Sequence, residues 1–155
     1  MPTAIVPAFV CLIPIAALAQ PAPAPAPCSL VTRAEVQQAA GVEVSAGAPN
    51  SINKLVCEYK TATPGSIVSV LLTAKAAADS AERTVAELNK RKLAASVVPG
   101  LGDSAYAASP GYGMQQLGAY KGSKHVVVTV LLMGAPEAKA KAAAAAVMKK
   151  ALERL

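Results

Sequence analysis

Residues 119–155 read AYKGSKHVVVTVLLMGAPEAKAKAAAAAVMKKALERL. After the Gly122-Ser123 turn comes a strongly apolar, β-branched run that suits a strand. Pro136 suits a first helical residue, and Glu137 stands one turn before Lys141. Ala140, Ala144, Val147, Met148, Ala151 and Leu155 recur at helical spacing and form a stripe to be buried. The same order occurs upstream. Val68-Ser69-Val70-Leu71-Leu72 aligns with Val128-Thr129-Val130-Leu131-Leu132 at an offset of 60, and the pair Tyr59-Lys60 returns as Tyr120-Lys121. Two strand-strand-helix half-repeats, or two amphipathic units alike in composition, give the same layout.

The upstream half fills in the elements. KLVCEYKTA (54–62) and SIVSVLLTA (66–74) are β-rich runs divided by Thr63-Pro64-Gly65, a hairpin with Cys57 in its first strand. Thr32 and Glu35 have capping-box spacing, Val31 and Val36 that of a hydrophobic staple, and Gly41 stands where a left-handed cap is needed, so a helix is predicted over 33–40. A second helix is predicted over 79–91, with Asp79 as its cap and Ala81, Val85 and Leu88 on one face. The expected class is α+β: an antiparallel sheet with helices packed on one face. A chain of 155 residues, 54% hydrophobic, suffices for one core. With one phenylalanine, Phe9, and no tryptophan, that core must be aliphatic, supplemented by Tyr59, Tyr106, Tyr112 and Tyr120.

Residues 4–19, AIVPAFVCLIPIAALA, are uncharged and end in the small-x-small pattern Ala17-Leu18-Ala19, so 1–19 reads as a signal peptide cleaved before Gln20. The run is short of the ~20 residues that span a bilayer and is broken by Pro7 and Pro14. No lysine or arginine precedes Arg33, whereas such a peptide ordinarily opens with positive charge, so the true start is expected upstream of Met1. Residues 20–27 alternate proline and alanine as a semi-rigid linker, and a single domain is expected over 28–155. Export leaves Cys28 and Cys57, an even pair expected to form a disulfide. Neither Cys28 nor Cys11 sits in a lipobox. Two thiols and the lone His125, without Cys-x-x-Cys spacing, make no metal site, and no cofactor is expected.

Between the halves lies ASVVPGLGDSAYAAS (95–109). Gly100-x-Gly102 lacks the strand-to-helix context of a dinucleotide fingerprint. Gly102-Asp103-Ser104 echoes the nucleophile block of GDS-type esterases. A triad of Ser104, His125 and Asp103 or Asp79 is the hydrolase alternative, with His125 expected in a hairpin turn. The preferred reading is structural: Pro99-Gly100 turns, Gly102 relieves the backbone, and Asp103 caps before a strand SAYAAS.

CSLVTRAEV with AAG, Cys57 before Tyr59, VPGLGDSAY, YKGSKHVVVTV and a final alanine-rich helix together resemble an exported bacterial domain family of uncharacterised function, often found behind signal peptides or lipid anchors. The resemblance covers nearly all of the chain after residue 27 and implies architecture and an envelope location. It implies no catalytic residue.

Fifteen basic against nine acidic side chains give a net charge of +6. Lys90, Arg91, Lys92, Lys149 and Lys150 end two helices, where they suit the helix dipole and offer an attraction to anionic envelope material. Nucleic acid is not an expected partner, because no aromatic residues interleave with the basic ones. The sequence therefore points to a periplasmic or secreted, non-enzymatic binding domain without a membrane-spanning segment after cleavage. Its expected partner is an anionic envelope component or another envelope protein.

Overall fold

The computed structural model describes residues 25–155; the signal peptide read over 1–19 and the linker as far as residue 24 lie outside them. A 3₁₀ turn, Pro27–Ser29, leads into α1 (Arg33–Ala40), β1 (Ala48–Pro49), β2 (Val56–Lys60), β3 (Ile67–Ala74), α2 (Ala81–Lys90), β4 (Ala94–Val98), β5 (Ser104–Gly111), β6 (Met114–Lys121), β7 (Lys124–Leu131) and α3 (Glu137–Glu153). The strands form one antiparallel sheet in the order β1-β2-β3-β7-β6-β5-β4. The class is α+β, as the sequence predicts.

Period-two alternation divides the sheet into two faces. Cys57, Tyr59, Val68, Val70, Leu72, Leu117, Ala119, Val126, Val128 and Val130 all point to one face, called inner here, and are buried there with Val36 and Ala40 of α1 and Ala140, Val147, Met148 and Ala151 of α3. The stripe read along α3 is the buried one, with Ala143 and Leu152 added and Leu155 half-buried. α3 ends where Lys121 Nζ donates to the Leu152 carbonyl at 2.7 Å. Glu137 does not pair with Lys141; its carboxylate accepts from Gln115 Nε2 at 3.0 Å.

α1 forms as its residues dictate. The Thr32 side chain accepts from the Glu35 amide, the Glu35 carboxylate accepts from the Thr32 amide at 2.8 Å, and Gly41 closes the helix at φ 62°. Glu35 also accepts from Arg154 at 2.8 Å, and Arg154 donates to the Leu30 carbonyl, so the C-terminus is tied to the start of the domain. The disulfide Cys28–Cys57 joins the 3₁₀ turn to β2 with the Cα atoms 5.0 Å apart.

α2 departs from the expected arrangement in two ways. Its cap is Ser80, whose side chain accepts from the Arg83 amide, while Asp79 accepts from the Ala76 amide and closes the preceding turn. It also lies on the face opposite α3. The chain must cross from β3, in the middle of the sheet, to β4 at its edge, and α3 already covers β6 and β7 on the inner face. Ala81, Val85 and Leu88 therefore meet Tyr106 and Tyr120 on the outer face, in a second, smaller core. The two aligned apolar segments are neighbours, β3 and β7, paired antiparallel with Val70 opposite Val128. The likeness between the halves extends to the hairpins β2–β3 and β6–β7 but not to the placement of their helices.

Candidate functional site

The outer face reads as rows across the strands. Thr73 lies opposite His125, His125 opposite Tyr120, and Tyr120 opposite Ser104. The next row is Val56, Leu71, Val127, Gly118 and Tyr106; then come Glu58, Ser69, Thr129 and Gln116; then Lys60, Ile67 and Leu131. α2 covers this face over β4, β5 and β6, and no described element covers β2, β3 and β7 there. Val56, Ile67, Leu71, Val127 and Leu131 are half-buried. Leu55 and Ile52, at the end of β2, are exposed to 51% and 94%.

Beside this open half sits a compact cluster. The His125 and Tyr120 rings stack at 4.3 Å, the Tyr106 hydroxyl meets His125 Nε2 at 3.1 Å, and the Tyr120 hydroxyl meets Thr84 of α2 at 2.7 Å. Lys75 Nζ stands 5.5 Å over the Tyr120 ring. Gly118 is a glycine because the Tyr106 ring passes over it, and a Cβ there would overlap the ring. Burial, reinforced by Tyr120 and Asp79, raises the Tyr106 pKa, so its hydroxyl keeps its proton.

Burial pushes His125 below its ordinary range, with Asp79 partly opposing. A histidine depressed in the folded state leaves stability intact above its unfolded value of 6.5 and loses it as pH falls below that value. Glu35 is held down to about 2 by its bonds to Arg154 and the Thr32 amide, so its contribution is lost only below 4.5. The two effects are thus separable. Urea denaturation is expected to show wild type losing stability between about pH 7 and pH 5 and His125→Gln losing less, as linkage requires; equal losses would contradict the assignment.

The sequence-predicted catalytic residues are placed as follows. His125 lies in β7 rather than in a turn, because the two residues Gly122-Ser123 complete the reversal. Ser104 shares its row, but β6 runs between them, a separation of two strand spacings or about 10 Å, with Tyr120 interposed. His125 Nε2 faces Tyr106, not Ser104. The Asp103 carboxylate accepts from the Gly122 amide at 2.7 Å, and the Asp103 amide donates to the Tyr120 carbonyl at 2.7 Å. Gly102, at φ 57°, lets the backbone approach that same carbonyl. The Pro-Gly-Leu-Gly-Asp segment thus braces the β6–β7 hairpin. Asp79 caps its turn. Among the described residues no group of three or more His, Cys, Asp or Glu could hold a metal ion.

The five basic residues read from the sequence do not share a surface. Lys90, Arg91 and Lys92 close α2 on the outer face, with Lys90 bound to Glu87 at 2.7 Å. Lys149 and Lys150 belong to α3 on the inner face, with Lys150 bound to Glu153 at 2.9 Å. Lys60, in the last outer row, and Lys75, over the Tyr120 ring, flank the open half-face; the acids on this side are Glu58, which Asn50 Nδ2 engages at 2.6 Å, and Asp79, whose charge acts on Tyr106 and His125. Alternation along KLVCEYK placed Lys60 outward and was the available signal; a search for charge runs passes over it. No protein family, curated protein or solved structure matches the chain.

Proposed function

We propose that the chain is an exported, non-enzymatic interaction domain of the cell envelope that docks through the outer face of β2, β3 and β7. The carrying observation is that face itself. Its apolar rows Val56-Leu71-Val127 and Ile67-Leu131 lie beside Lys60 and Lys75, and no described helix packs over them. The rows are partly exposed and are separated by the polar row Glu58-Ser69-Thr129, a mixed surface of the kind that interaction sites use, and the lysines beside it favour an anionic envelope surface as the partner. The Cys28–Cys57 bridge supports a location in an oxidising compartment, and among the described residues no helix is long and apolar enough to cross a membrane. The paired cysteines and the Pro-Gly-Leu-Gly-Asp brace support kinship with the exported domain family that the sequence resembles.

Co-sedimentation with anionic phospholipid vesicles across a salt series tests the partner. Binding is expected at low ionic strength and should fade as salt shortens the Debye length toward ~8 Å. Each basic side chain near such a surface is worth about 1 kcal/mol, roughly fivefold in Kd. Lys60→Glu with Lys75→Glu should therefore weaken binding by about tenfold or more, and the uncharged Leu71→Asn should weaken it independently of salt. Lys149→Glu with Lys150→Glu, on the other face, should have a smaller effect. Loss of binding equal to that of the Lys60 and Lys75 reversals would move the contact away from the proposed face.

A further inference from the structure

We infer that Asn89 is a clasp that keeps the β4 edge of the sheet from pairing with β4 of a second copy of this chain. β4 is one of the two sheet edges, and its sequence, Ala94-Ala95-Ser96-Val97-Val98, has no charge and no proline. It pairs with β5 over all five residues without a register shift. The usual devices that blunt an edge strand are therefore missing from β4 itself.

One device is supplied from α2. Asn89 Nδ2 donates to the Ala95 carbonyl at 3.1 Å, and the Ala95 amide donates to Asn89 Oδ1 at 2.9 Å. This is the two-way exchange that a residue of a neighbouring antiparallel strand makes, with the side-chain amide standing in for a peptide group. The chain brings Asn89 there by turning back sharply: Lys92 adopts φ 61°, and the Lys92 amide donates to the Asn89 carbonyl. Because Ala95 gives its amide and carbonyl to Asn89, those groups face away from β5. The period of two turns the amide and carbonyl of Val97 to the same outer side, and its side chain is half exposed.

With Asn89 absent, a two-fold related β4 fits this edge. Ala95 would lie opposite the Val97 of the second copy and Val97 opposite its Ala95, each pair exchanging two hydrogen bonds in a self-complementary contact. The other sheet edge, β1, is two residues long and contains Pro49, so association stops at the dimer.

Sedimentation velocity over a concentration series decides the matter. Wild type should be monomeric with respect to β4, and Asn89→Ala should dimerise at least about tenfold more tightly. Adding Val97→Pro to Asn89→Ala should restore the monomer, because that proline removes an outward amide and leaves the β5 pairing intact. Asn89→Asp keeps the acceptor for the Ala95 amide and loses the donor, so it should fall between; it also serves as the readout should Asn89→Ala fail to fold. A folded Asn89→Ala or Asn89→Asp no more associated than wild type would overturn the inference. So would a wild-type dimer abolished by Val97→Pro.

Discussion

Breaking the Cys28–Cys57 bridge is expected to remove about 3 to 4 kcal/mol of stability, the chain-entropy value for a loop of this size. The cysteines are 29 residues apart, and the loop they close contains α1 and β1. α1 is eight residues long and could not persist alone in water. Its position depends on the bridge, on packing against α3 and on Arg154. Cys57 is fully buried, so the pair Cys28→Ser and Cys57→Ser also places a hydroxyl in the core. Comparison of the oxidised chain with Cys28→Ala and Cys57→Ala by urea denaturation isolates the bridge. A loss under about 1 kcal/mol would mean that the unfolded chain is not constrained as the entropy account requires. Two reactive thiols from this pair, titrated under denaturing and non-reducing conditions, would remove the bridge from the account altogether.

Tyr59→Ala is expected to cost about 3 to 5 kcal/mol, the range for emptying a buried aromatic site. Tyr59 is 1% exposed, packs beneath Gly47 and donates its hydroxyl to the Val31 carbonyl. A Cβ at Gly47 would press on the Tyr59 ring and on Cys57 Sγ, so the loop before β1 closes over the same site. Tyr59→Phe keeps the ring and leaves the Val31 carbonyl without its donor, for an expected loss of about 1 to 2 kcal/mol. Thermal or urea unfolding of the two variants separates ring from hydroxyl. A Tyr59→Phe loss equal to that of Tyr59→Ala would show that the hydrogen bond, rather than the ring, anchors the N-terminal segment.

Much of the fold is legible because local signals agree with the tertiary arrangement. Thr32 with Glu35, Gly41, the Thr63-Pro64-Gly65 reversal and the alanine stripe of α3 each form the element that their residue types favour. β4 was not legible: Ala94-Ala95-Ser96-Val97-Val98 is short and half small residues, and it becomes a strand by pairing with β5 and by the clasp from Asn89. The side taken by α2 was not legible either, since helix amphipathicity fixes which residues are buried and not which sheet face buries them. At the candidate site, the sequence singled out Ser104, Asp103 and His125 as a chemical group. Only the pairing of the strands shows that Tyr120 stands between Ser104 and His125 and that Asp103 is spent on the Gly122 amide. Lys60 and Lys75 stand fifteen residues apart in the chain, so their shared place on one sheet face follows from the strand pairing and not from any charge run.

Site-specific photo-crosslinking in intact cells tests the docking surface directly. A benzophenone side chain at position 127, in the middle of the open rows, should give a discrete adduct with an envelope component, either lipid or protein. The same group at position 146, exposed on α3, should give none of comparable yield. Adducts from position 146 with position 127 silent, in a chain of unchanged stability, would place the contact on the helical face and contradict the account.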